Sequence, residues 1–154
     1  MFNRKKRLLL EQMDRKLDGF KDARQVILPQ GGWIRAIRKG INMSLEELGK
    51  RSNRSAQNVA SLEKSESNGT ITLQSMNDLA AALDLQLVYG FVPREGSLLA
   101  MVEKRAEEVA KTIVNRSAQT MDLEDQSTTK DDLSKAVDEK KNELLAELPK
   151  YLWR

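Results

Sequence analysis

Only one stretch of this chain, Leu85 to Val92, changes character with a period of two: Leu85, Leu87, Tyr89 and Phe91 interleave with Gln86, Val88, Gly90 and Val92. Elsewhere apolar side chains recur every three or four residues, the spacing of a helix face. A lone strand cannot form a sheet, and its backbone donors need a partner from another chain or an unrecognised strand. The chain is therefore expected to be mostly α, a helical bundle with one short strand paired across a dimer and helices after it. Pro93 ends the strand, and Leu87, Tyr89 and Phe91 are the expected dimer contacts. A two-fold interface would pair the strand and cover leftover apolar stripes in one step.

Three segments follow. Residues 1–30 read as a basic amphipathic helix, with Arg4-Lys5-Lys6-Arg7 ahead of Leu9, Met13, Leu17 and Phe20, stopped by Pro29 and Gly31-Gly32. Residues 31–93 hold four short helices and the strand. The first carries Trp33, Ile34, Ile37 and Ile41 and ends at Asn42, a residue tolerated in the left-handed region. Ser44 and Glu47 form a capping box for the second, Leu45 to about Arg51. Ser52-Asn53-Arg54 makes a tight turn with Asn53 at positive φ, Ser55 caps the third helix, and Thr72 or Ser75 caps the fourth. Residues 94–154 are read as a helical dimerisation or partner-binding extension. It holds one helix over 97–115, a polar segment over 116–130, and a helix over 131–148 capped by Asp131 or Asp132. An aromatic tail, Tyr151-Leu152-Trp153, closes the chain.

Composition removes several chemistries. With no Cys and no His, the chain has no thiol nucleophile, no imidazole base and no Cys- or His-ligated zinc. Five carboxylates lie between 120 and 132 (Asp122, Glu124, Asp125, Asp131, Asp132), but no cationic cradle or Gly-rich phosphate loop accompanies them. The expectation is a protein that is not an enzyme and takes no cofactor or metal. No apolar run approaches the ~18 residues a membrane helix needs, and Leu8-Leu9-Leu10 is too short for a signal-peptide core, so the expected location is the cytoplasm. Charge is uneven: residues 1–66 carry 15 Lys and Arg against 8 Asp and Glu, and residues 67–154 carry 11 against 15. A basic front half suits an anionic partner, nucleic acid being the commonest.

The stretch Met43 to Glu63 has the form of a helix-turn-helix: two helices, each opened by a cap, joined by a short turn. The second helix of such a unit presents its N-terminal side chains to base edges in the major groove. Ser55, Gln57, Asn58 and Ser61 stand there on one face, and Gln and Asn suit the bidentate pattern of adenine. Arg35, Arg38, Ser44, Arg51, Arg54 and Lys64 are the expected phosphate contacts. The reading is a dimeric repressor bound to a double-stranded operator.

Residues about 31–92 resemble the Cro/repressor-like, xenobiotic-response-element family of helix-turn-helix domains. The matching residues are Ser44, Glu46-Glu47, Leu48, Gly49, Asn53, Arg54, Ser55, Val59, Leu62 and Glu63. Asn53 stands for the usual Gly, Gly49 for Ala, and Ser52 and Arg54 occupy positions where that family buries apolar side chains. A longer series resembles the "mobile mystery protein A" family over nearly the whole chain. It runs through Gly32-Trp33-Ile34-Arg35, Ile37-Arg38, Met43-Ser44, Glu63-x-x-Glu66, Ile71-Thr72-Leu73, Ala82-Leu83-Asp84, Leu87-Val88-Tyr89, Val92-Pro93, Arg105-Ala106, Thr120-Met121-x-Leu123-Glu124-x-Gln126 and Leu152-Trp153. That resemblance implies a bacterial regulator in a toxin–antitoxin-like arrangement with a neighbouring Fic-domain protein. A second reading follows from it, an antitoxin that binds and inhibits the Fic enzyme directly. Fic inhibitory helices resemble Ser/Thr-x-x-x-Glu followed by Gly or Asn; Thr120-x-x-x-Glu124 matches the first part, and Asp125 follows it.

Overall fold

The computed structural model describes residues 2–123 and 129–154. They are mostly helical. In chain order the helices are α1 (Arg4–Leu17), α2 (Trp33–Gly40), α3 (Leu45–Arg51), α4 (Ala56–Asn68), α5 (Leu73–Ala82), α6 (Leu98–Leu123) and α7 (Lys130–Glu147), with 3-10 segments at Asp18–Gln25 and Lys150–Trp153. The chain divides into two compact units, Gln25–Tyr89 and Met1–Arg24 with Gly90–Arg154. The N-terminal helix and the C-terminal extension, read above as separate segments, thus fall in one unit.

The unit Gln25–Tyr89 is built around Ile34, Leu48, Val59, Leu79, Ala82 and Leu83, so each of α2 to α5 supplies the core. Local signals set its helix ends. The Ser44 hydroxyl accepts from the Glu47 N–H while Glu47 accepts from the Ser44 N–H, closing the capping box. Ser55 caps α4 and Thr72 caps α5. Asn42 and Asn53 adopt the positive φ expected of them, 58° and 56°. Between α3 and α4 the Arg54 N–H donates to the Gly49 carbonyl at 2.7 Å. A Cβ at Gly49 would lie 2.5 Å from the Arg54 carbonyl oxygen, so only glycine admits this turn.

The other unit packs α6 against α7 around Val102, Ala106, Ala110, Leu144, Leu145 and Leu152. The alanines let the helices approach closely. Helix α1 adds Leu10 at the edge of this core, and its Asp14 carboxylate accepts from the N–H groups of Leu98 (2.6 Å) and Leu99 (3.2 Å), capping α6 from outside. Arg105 holds the chain end by donating to the Leu152 and Arg154 carbonyls.

Several expectations need correction. No strand forms among the described residues: 85–93 are irregular, as a strand with no ladder partner within the chain must be. The amphipathic helix expected within residues 1–30 gives way to 3-10 geometry after Leu17. Helix α6 runs on to Leu123, and Thr120 lies inside it with its hydroxyl on the Arg116 carbonyl. Thr129, not Asp131 or Asp132, caps α7. In the terminal tail the buried anchor is Leu152; Tyr151 and Trp153 stay exposed.

Replacing Gly49 with Ala is expected to destabilise its unit by about 1–3 kcal/mol, the usual cost of forcing extra volume into a packed site. Trp33 and Trp153 lie in different units, so thermal unfolding followed by Trp33 fluorescence in a Trp153→Phe background isolates the effect. An unchanged midpoint would show that the turn opens freely.

Candidate nucleic-acid interface

Helix α4 is amphipathic in an uneven way. Val59 and Glu63 are buried and Leu62 and Glu66 partly so, which fixes its inner face. At 3.6 residues per turn, Gln57, Ser61 and Lys64 fall on the opposite side, with Asn58 beside them. All four are exposed, as is the cap Ser55. Gln57, Asn58 and Ser61 of the base-reading set predicted from sequence therefore share one solvent side, while Ser55 stands at the helix start, one turn before Val59. Two members have local duties. The Ser55 hydroxyl accepts from the Asn58 N–H, and Asn58 Oδ1 accepts from an Arg54 Nη at 3.2 Å.

The predicted phosphate set divides. Arg35 and Lys64 are exposed and form no ion pair among the described residues. Together with Lys39 they line an open cleft of about 470 Å³ between α2 and α4. Lys39 was left out of the predicted set, although its i+4 spacing from Arg35 puts both cations on one side of α2. Arg51 and Arg54 are bound within the unit. Arg51 donates to the Ala82 carbonyl and Asp84, and Arg54 to Asp78 as well as Asn58. Arg54 Nε is buried and has no partner among the described residues. Ser44 is exposed, with its hydroxyl engaged in the α3 cap. There the Ser44 N–H, and then its hydroxyl, hold the Glu47 carboxylate below its usual range. A depressed folded pKa means that this contribution is complete above the unfolded value and is lost as pH falls through the folded one.

Arg38 is the correction. Its side chain is 9% exposed and that of Glu63 7%. Arg38 Nε and Nη2 donate to the two Glu63 oxygens at 2.6 and 3.1 Å, and Nη1 donates to the Met43 carbonyl at 3.0 Å. A guanidinium buried and committed in this way is not available to a phosphate. One turn along α4, Glu66 accepts from the Trp33 and Ile34 N–H groups at 2.6 and 2.9 Å, so it caps α2. Gly32 makes room for it: a Cβ there would meet the Glu66 carboxylate at 2.7 Å.

The predicted dimer contacts differ from one another. Tyr89 and Phe91 are exposed, whereas Leu87 is half-buried and lines a small apolar pocket of about 190 Å³ with Trp33, Ile37 and Met76. The inhibitory motif expected at Thr120-x-x-x-Glu124 cannot be placed, because Glu124 and Asp125 lie outside the described residues. Among the described residues no acidic cluster suited to a metal occurs, and no helix is long and apolar enough to cross a membrane. No family model, no curated protein and no solved structure matches the chain.

Removing one partner of a buried ion pair leaves the other uncompensated, at a cost of about 3–5 kcal/mol. Arg38→Ala is expected to lose stability on that scale, and Arg38→Met with Glu63→Leu to recover most of it. Denaturant titration reads both. If Arg38→Ala were as stable as wild type, the pair would not be clamping α2 to α4.

Proposed function

We propose that this protein is a sequence-specific DNA-binding regulator of the Cro/repressor-like helix-turn-helix class, acting as a dimeric repressor of its own operon. The observation that carries the reading is the outer face of α4. It offers uncharged hydrogen-bonding side chains, Gln57, Asn58 and Ser61, at the start of a capped helix, and unpaired cations, Arg35, Lys39 and Lys64, flank it. Neutral amides read base edges and cations position the backbone, the division of labour in duplex recognition. The short turn between α3 and α4 supports the same reading, since a helix-turn-helix joins its two helices by a turn of this length. A dimer would place two such helices in successive major grooves and block polymerase sterically. The family resemblance supplies the setting, an operon shared with a Fic-domain protein.

The test is a gel shift of the full chain on its own upstream DNA and on random DNA at several salt concentrations. Gln57→Ala or Asn58→Ala is expected to lose about 1–3 kcal/mol on the cognate sequence and little on random DNA. Lys64→Ala is expected to weaken both alike and to reduce the salt slope by about 1. Equal losses for Gln57→Ala on both sequences would remove α4 as the reader.

A further inference from the structure

Among the described residues, 86–92 form a run of backbone without hydrogen-bond partners. Leu85 donates to the Ala80 carbonyl, and the Pro93 carbonyl accepts from Arg24 and from the Gly96 N–H. Among the described residues, no N–H from Gln86 to Val92 donates a hydrogen bond. Such a row is a template for another strand. Its side chains are bare as well: Val88 is 68% exposed, Tyr89 66% and Phe91 77%. From Leu85 to Pro93 the run is uncharged, and it is bounded by a carboxylate at Asp84 and a guanidinium at Arg94.

We infer that residues 85–93 pair antiparallel with the same residues of a second copy, about a two-fold axis at Tyr89. The inference deepens the dimeric part of the function proposed above and rests on it. Charge selects this occupant. In this register Asp84 of each chain stands opposite Arg94 of the other, at both ends of the ribbon, whereas parallel in-register pairing would set Asp84 against Asp84. Asp84 is largely exposed, with one oxygen on Arg51, and Arg94 is exposed with no ion pair among the described residues. Leu87 then faces Phe91, and Tyr89 faces itself. Proline fits only where its nitrogen is not asked to donate. Placing Pro93 at a non-hydrogen-bonded position gives that role to all the odd-numbered residues, and Gln86, Val88, Gly90 and Val92 form the ladder. Gly90, the weak point of the strand, is covered within its own chain by the Phe20 ring, into which any Cβ at 90 would run. An aromatic ring over a bare strand glycine is a known protecting device.

The chain has no cysteine, so Tyr89→Cys adds one thiol per copy. Non-hydrogen-bonded antiparallel neighbours have Cα atoms about 4.5 Å apart, within reach of a disulfide. Under mild oxidation, without DNA, full-length Tyr89→Cys is expected to form a covalent dimer. Leu87→Cys and Phe91→Cys are expected to link when mixed and not alone. Arg94→Asp is expected to weaken dimerisation by about tenfold in sedimentation, since it reverses two symmetric rungs, and Asp84→Arg in the same chain to restore it. A wild-type monomer at micromolar concentration overturns the inference. So does a dimer in which Tyr89→Cys fails to link, or in which Leu87→Cys links to itself as readily. Because no DNA is present, loss of operator binding with linking intact counts against the regulator alone. Operator binding by a dimer without linking counts against this pairing alone.

Discussion

The buried ion pair between Arg38 and Glu63 holds α4 in place, and the outer face of α4 is the candidate site. Arg38 reaches three acceptors, two on α4 and one at Met43, immediately before the α3 cap. One guanidinium thereby fixes three elements. A buried pair of this kind is a poor source of net stability, since desolvation offsets much of the attraction. What it imposes is position, because any rotation of α4 about its axis would strand Glu63 in the core. Glu66 adds a second point of attachment one turn later. The consequence is electrostatic. Both carboxylates of α4 turn inward and are matched, Glu63 by a guanidinium and Glu66 by the two N–H groups at the positive end of α2. Lys64 is left outside, so the one charged side chain on the outer side of α4 is a cation.

The second unit uses the same device with different residues. Asp14 of α1 caps α6 through Leu98 and Leu99, as Glu66 caps α2. In both cases a carboxylate from one helix meets the exposed N–H groups of another, which joins secondary structure to tertiary packing through a charge-assisted hydrogen bond. This unit is assembled from the two ends of the chain. The Asn3 N–H reaches the Leu145 carbonyl, Lys6 reaches Glu147, and the Arg24 guanidinium reaches the Pro93 carbonyl, drawing together the two points where the intervening residues leave and return. Contacts of such sequence separation form slowly, while Gln25–Tyr89 has its own core and depends on shorter loops.

What the sequence discloses depends on range. Caps act over three residues, so the starts of α3, α4 and α5 at Ser44, Ser55 and Thr72 and the turn at Asn53 were legible, whereas the last turn of α4, over residues whose polarity suggests a loop from Ser65 to Gly69, was not. Partnerships across 24 or more residues were not legible either. Arg38 was read as a surface cation although Ile34, Arg38 and Ile41 follow the same i, i+4, i+7 row; a charge on an apolar row was the signal for a buried partner, and Glu63, four residues after Val59, carried the matching one. The acids that Arg51 and Arg54 reach, Asp84 and Asp78, were equally hidden, since they lie 33 and 24 residues away. Thr129 lost the cap of α7 to two acids in the reading, because acids suit both the cap and the first turn. The period of two at 85–92 was visible, but periodicity describes the faces of a strand and carries no information about what completes its ladder.

The division of the cations bears on why the proposed regulator would act as two copies. The front half of the chain is basic, yet its arginines at 38, 51 and 54 pair with acids of the same unit, which leaves Arg35, Lys39 and Lys64 beside the α4 face. Each phosphate contact adds about 0.9 to the salt exponent of binding, so three contacts amount to roughly a fortyfold change in affinity between 50 and 200 mM salt, and six to roughly two-thousandfold. In the proposed complex a single copy would thus supply half of the electrostatic contribution that a pair would supply. Joining two copies on the proposed ribbon would double that contribution and turn the second docking event into an intramolecular one. Affinity then depends on the spacing of the two half-sites, which no single α4 can measure. In this reading specificity comes from the geometry of the pair as much as from the residues on either helix.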